Sequence, residues 1–230
     1  MVQPRRRVKP PGELNRRGSQ LRRKLSEAVK YARNADKGRG YLPYSEKRLV
    51  GELPFGRMLV GTMERRLEQA RGRRKILVLE KGAGFGNIIA HIKRMAPSQI
   101  ETTALSATAS YSAENAPHID NKKVKIGILA RHRMPYDIIF DGFGEDYHLP
   151  KELVKYSIEK TISLLRRGGE AFTIVPLVFR TDTTALVAGE GRELVEELKA
   201  RSDIVVETDE TRKRFERTEY IDLVIHITKK

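Results

Sequence analysis

The sequence predicts an α/β protein with a mostly parallel seven-stranded sheet, helices on both faces and an antiparallel C-terminal strand. Three observations point there. The run Lys75-Ile76-Leu77-Val78-Leu79-Glu80 leads into Lys81-Gly82-Ala83-Gly84-Phe85-Gly86-Asn87, and a helix-compatible apolar stretch begins at Ile88. That order reads as a strand, a tight turn and a helix start. Glycine permits the turn and lets a ligand approach without Cβ interference. A nucleotide-like ligand would lie across the carboxyl end of such a parallel strand. Secondly, apolar runs and helical patterns alternate from residue 75 to about 201, as crossover units require. Thirdly, two strand-like runs follow with no apolar helix between them.

Residues 1–18 are rich in Arg, Pro and Gly and show no apolar periodicity, which predicts a flexible basic arm. From Ser19, a plausible N-cap, Leu21, Leu25, Ala28, Val29 and Ala32 recur at helical spacing until Gly38 and Gly40. Residues 41–56 read as irregular, and a second helix is expected from about Arg57 to Ala70, with Leu59, Met63 and Leu67 on one face. Residues 19–74 are therefore read as a basic helical extension and 75–230 as the main domain. Strands are expected near 75–80, 100–106, 124–129, 136–141 and 170–176, and helices over 87–95, 150–166 and 190–201, with a weaker one near 109–116. Asp203–Glu207 and Tyr220–Ile227 complete the strands. The polar link Thr208–Glu219 is too short for a crossover helix, so these two are expected to pair antiparallel.

Charge is segregated along the chain. Residues 1–75 hold 22 Lys/Arg against 7 Asp/Glu, which accounts for the whole net charge of +15; residues 76–230 hold 23 of each sign. A basic module joined to a neutral domain implies an anionic partner. Arg5, Arg6, Arg7, Arg16, Arg17, Arg22, Arg23 and Lys24 are the candidate phosphate contacts, with RNA the favoured nucleic acid. An acidic protein or an anionic membrane surface would satisfy the same charge. The chain has no cysteine, which excludes disulfides, cysteine-ligated zinc and cysteine nucleophiles. No metal-ligand set is read. No apolar run reaches the roughly 18–20 residues of a membrane span, and the basic N-terminus lacks the apolar core of a secretory signal, so a cytoplasmic protein is expected.

The spacing Glu80-x-Gly82-x-Gly84-x-Gly86 resembles motif I of the class I S-adenosylmethionine-dependent methyltransferases. A dinucleotide site would want its third glycine at position 87, which is Asn87. Five alternating strands closed by a terminal hairpin resemble the same family's sheet, so the likeness covers residues 75–230 and implies a Rossmann-like methyltransferase fold. It implies S-adenosylmethionine as cofactor, held by Glu80, Gly82, Gly84 and Gly86. Ser106 stands where the family usually has an acidic residue on the ribose, and Ala130 and Arg131 where it often has one near the adenine. Serine lacks the paired acceptors of a carboxylate.

Tyr136-Asp137-Ile138-Ile139-Phe140-Asp141-Gly142-Phe143-Gly144 resembles the family's fourth strand, which ends beside the transferred methyl. Asp141 is the candidate catalytic residue, accepting a proton or positioning a substrate amine or hydroxyl. Gly142 and Gly144 would leave room for substrate. Asp141-Gly142-Phe143-Gly144 is not the Asn/Asp-Pro-Pro-aromatic tetrapeptide of amino-methylating relatives. Val175-Pro176 stands where ribose 2′-O-methylating relatives carry a lysine. The expected function is methylation of RNA or another nucleic-acid-associated substrate. The alternative is a non-catalytic nucleic-acid-binding protein on a degenerate methyltransferase fold, favoured by Ser106 and Ala130.

Overall fold

The computed structural model describes residues 53–106, 111–124, 135–142, 146, 149, 151–179, 186–215 and 218–230. The basic arm, the helix expected from Ser19, and the positions Ala130 and Arg131 lie outside the described residues, as does Gly144.

The first described element is helix α1 (Pro54–Ala70), which starts three residues before the expected Arg57. Proline at the first turn costs no hydrogen bond, because that N–H has no intrahelical partner anyway. Phe55 thereby joins Leu59 and Met63 on the buried face. The helix stops at Arg71, whose left-handed φ of 44° lets its N–H return to the Leu67 carbonyl at 3.2 Å.

Strand β1 (Ile76–Glu80) is buried along its length, as a central parallel strand must be. After the glycine turn comes α2 (Asn87–Met95), where the sequence places it. Strand β2 (Ile100–Ser106) also matches its expected range. The weak helix near 109–116 is instead a turn followed by one 3-10 turn, Ala116–His118. Strand β3 (Asn121–Val124) begins three residues early, because Asp120 is fixed by the Thr102 N–H at 2.8 Å and the next residues fall into register with β2.

Strand β4 (Tyr136–Asp141), helix α3 (Lys151–Leu164) and strand β5 (Leu165–Val178) follow. A two-residue strand β6 (Leu186–Val187), helix α4 (Ala188–Lys199), and strands β7 (Ile204–Phe215) and β8 (Thr218–Lys229) complete the chain.

The sheet runs β3-β2-β1-β4-β5-β8-β7, with β6 a short addition beside β5. Contacts from β3 to β5 are parallel, and β8 is antiparallel to both β5 and β7. This is the mostly parallel seven-strand path that the sequence predicts. The polar link between the last strands is not a loop. It lengthens both into a ribbon, with Thr208 opposite Ile225 and Phe215 opposite Thr218. A ladder asks only for backbone groups, so a polar run extends it wherever both faces meet water.

Two apolar layers cover the sheet. On one face Leu79, Ile139 and Val175 meet Leu153 and Ile158 of α3 and Leu194 of α4. On the other, Val78, Ile138 and Phe140 meet Phe55 and Leu59 of α1 and Ile88 and Ile89 of α2.

Candidate active site

Chain direction makes the site. β1 lies between β2 and β4, and its crossovers leave in opposite directions along the sheet. At such a switch point the loops beyond the strand ends diverge and leave a crevice. The glycine turn occupies the carboxyl end of β1 there. Gly82, Gly84 and Gly86 all have positive φ, at 66°, 50° and 77°. The turn is stitched to both neighbouring strands. Lys81 N–H donates to the Phe140 carbonyl at 2.9 Å, and Ala83 N–H to that of Leu105 at 2.8 Å. Gly86 N–H closes onto Ala83 at 2.7 Å, and its own carbonyl accepts from Ala90 at 3.0 Å to start α2.

Glu80 points to the α1/α2 face, where its Oε2 accepts the Ile89 N–H at 3.2 Å. Burial pushes its carboxyl well above the ordinary range; the Asp141 charge adds to this and the Ile89 bond opposes it. Ser106 is buried at the end of β2, two positions beyond Ala104, the ladder partner of Glu80.

On the opposite face lies a buried ionic cluster. Asp141, at the last position of β4, is fully buried, and its Oδ2 accepts the Asp146 N–H at 2.7 Å. The Asp146 carboxylate receives Lys81 Nζ at 2.7 Å and the Thr173 hydroxyl at 2.8 Å, and also the Ser157 hydroxyl. Lys81 Nζ also donates to Ser157 Oγ at 3.0 Å and stands 3.9 Å from Asp141 Oδ2. Asp146 thus ties the ends of β1 and β4 to α3 and β5. Among the described residues, the buried carboxyl groups of Asp141 and Asp146 share this strand end with one buried lysine, whereas Glu80 lies on the other face and is pushed towards its neutral form. The site therefore favours a cationic ligand over an anionic one.

Sequence reasoning missed Lys81, Asp146, Ser157 and Thr173. Only Lys81 had a signal, a long cation inside a glycine turn. The others meet through tertiary packing across separations of up to 76 residues.

The segment after β2 folds back over the turn. Asn115 Nδ2 donates to the Phe85 carbonyl at 3.2 Å and to Asn87 Oδ1 at 2.6 Å, and Tyr111 O–H to the Ala104 carbonyl at 3.0 Å. Burial, with the Glu80 charge second, pushes the Tyr111 phenol up to about 12. A Cβ on Gly86 would lie 2.8 Å from Ile119 Cδ1, so this glycine admits the chain's own side chain. Gly142 corrects an expectation in the same way. The room beside it is filled by Ile88 and Phe55, 2.8 and 3.0 Å from where its Cβ would stand.

Among the described residues no group of His, Cys, Asp or Glu is placed to hold a metal, and no helix is long and apolar enough to cross a membrane.

No family model matches the sequence, and no curated protein matches it either. Solved structures match it in shape. The N-methyltransferase NodS from Bradyrhizobium japonicum WM9, in complex with S-adenosyl-L-homocysteine, superposes with a TM-score of 0.54 at 13% identity, over 86% of this chain and 98% of that one. The plantazolicin methyltransferase BpumL, with a pentazolic desmethylPZN analog and S-adenosylhomocysteine, gives 0.53 at 14%, over 90% and 98%. Magnesium protoporphyrin IX methyltransferase (ChlM) from Synechocystis PCC 6803, with bound S-adenosylmethionine, gives 0.52 at 13%, over 88% and 97%. The chain has the Rossmann-like fold of the S-adenosylmethionine-dependent methyltransferases.

Proposed function

We propose that this protein is an S-adenosylmethionine-dependent methyltransferase. The observation that carries the reading is the glycine turn. Three positive-φ glycines stand at the sheet's switch point, between buried Glu80 and buried Asp141. Bound there, the cofactor supplies an electrophilic methyl group. The residues present fit it. Gly82 is partly exposed at the turn, and the excess of Asp141 and Asp146 over Lys81 suits a ligand bearing ammonium and sulfonium charge. Ser106 would offer a single oxygen to a ribose hydroxyl.

Asp141 is the residue assigned to the acceptor's proton. A general base must lie within hydrogen-bond reach of the proton it takes. Asp141 ends the strand beside the turn, and the Asp146 N–H holds one of its oxygens. The remaining work is positioning, which Lys81, Ser157 and Thr173 perform by fixing Asp146.

For the acceptor, we infer an oxygen or nitrogen nucleophile on RNA or another nucleic-acid-associated molecule. This rests on the charge of residues 1–75 alone. The acceptors named for the solved neighbours, magnesium protoporphyrin IX and a desmethylPZN analog, lend it no support.

Calorimetric titration with S-adenosylmethionine and S-adenosylhomocysteine tests the reading. Wild-type protein should bind both, and Gly84→Asp should bind neither while remaining folded. Well-folded wild-type protein that binds neither ligand would sink the enzyme reading and leave the binding-protein alternative. Removing residues 1–18 should lower nucleic-acid affinity and flatten its salt dependence; an unchanged salt slope would dismiss the arm.

A further inference from the structure

Strand β7 ends the sheet, and among the described residues no strand pairs with its outer edge. At 12 residues it is twice the usual strand length. A long free edge offers a row of unpaired backbone groups to any other strand, and charge along it normally discourages such pairing. Here Glu207, Asp209, Glu210 and Arg212 are exposed and Thr211 is partly so.

The charges are sorted rather than mixed. Glu207, Asp209 and Glu210 precede Thr211, and Arg212, Lys213 and Arg214 follow it. A strand sorted in this way is its own complement when turned end for end. Two identical antiparallel strands about a two-fold axis must set one residue opposite itself, because hydrogen-bonded and non-hydrogen-bonded pairs alternate along the ladder. With Thr211 on the axis, Glu210 stands opposite Arg212 of the second copy and Asp209 opposite its Lys213, and symmetry repeats both pairings. Moving the axis one residue back sets Glu210 against Glu210. Moving it one residue on sets Arg212 against Arg212. Like charges directly opposite one another destabilise a ladder, so a single register survives.

We infer that a second copy of this chain adds to the outer edge of β7, antiparallel about Thr211, to give a symmetric dimer with one continuous sheet. The inference is independent of the proposed chemistry, since Glu210 and Arg212 belong to no part of the site.

The test is sedimentation velocity of the full chain over a concentration series at low and high salt, with Glu210→Arg, Arg212→Glu and the double reversal. Wild-type protein should dimerise with rising concentration, and less at high salt. Each single reversal turns two attractive pairs into repulsive ones and should weaken dimerisation by about tenfold, and the double reversal should restore it. A protein monomeric at every concentration overturns the inference, and would be the outcome if residues 1–52 or a foreign strand covered this edge. A dimer indifferent to both single reversals, or not restored by the double one, overturns it as well.

Discussion

Lys81 is the buried cation beside the two aspartates at the end of β4. Its Nζ sits 2.7 Å from Asp146 and 3.9 Å from Asp141, and all three side chains are almost completely buried. Removing one partner of a buried pair leaves an uncompensated charge, which costs about 3–5 kcal/mol. Lys81→Met should lose stability on that scale in urea denaturation near neutral pH. A variant as stable as wild type would mean that the cluster does not depend on its lysine. Glu80, the preceding residue, behaves differently. It accepts the Ile89 N–H, and burial pushes it towards its neutral form. The two neighbours point to opposite faces of β1, one into an ion pair and the other onto a helix start, as strand alternation requires.

At the scale of elements, an aromatic wedge seats the start of α1 on the sheet. Phe55 meets Phe140 and Phe172 with ring centroids 6.4 Å apart in both cases, and its ring edge fills the space beside Gly142. The helix start is therefore anchored at the strand end that carries Asp141. Phe55→Ala should cost about 3–5 kcal/mol by unfolding measurements, the range for emptying a large aromatic site. It should also weaken cofactor binding, because the residue after Asp141 loses its packing partner. Unchanged binding by a destabilised but folded variant would separate α1 from the site. The sequence reads residues 41–56 as irregular for a clear reason. Periodicity places a helix interior well but not its first turn, where Pro54 is itself a permitted start.

At the scale of the whole molecule, one polar chain crosses the sheet on the face opposite the ionic cluster. Arg66 of α1 donates to Glu170 Oε1 of β5 at 2.7 Å. His226 of β8 stands between Glu170, 2.9 Å from its Nε2, and Glu207 of β7, 3.0 Å from its Nδ1, and its ring stacks on Phe172 at 4.4 Å. Burial opposes the charged form of Glu170, but the bonds from His226 and Arg66 outweigh it and hold the carboxyl below its ordinary value. A depressed pKa contributes stability that is present above the ordinary value of 4.5 and is lost as pH falls through the lower, folded value. Glu170→Gln should accordingly show a shallower loss of stability than wild type as pH drops below 4.5, read from urea midpoints. Parallel pH profiles for the two proteins would contradict this account.

Much of the frame was legible along the chain because it depends on neighbours in sequence. The order strand, turn, helix over residues 76–95, the range of β2 and the antiparallel ending all follow from apolar period and from glycine. The same local signals pointed to Glu80, the three glycines and Asp141, which the fold sets at the carboxyl ends of β1 and β4. They could not reach what faces them. Asp146 lies between β4 and α3, Ser157 on α3 and Thr173 on β5, and they become one cluster only when β1, β4, β5 and α3 pack. Gly86 and Gly142 look in sequence like openings for a ligand, yet packing fills both spaces with Ile119 and Phe55. The length of the β7–β8 ribbon was hidden for a related reason. A polar strand is specified by its partner's backbone and not by its own side chains. The sequence by itself thus determined the order and kind of the elements and where the glycine turn falls. Tertiary structure alone decided which charges share the crevice and which strands stand at the ends of the sheet, because both depend on residues that only folding brings together.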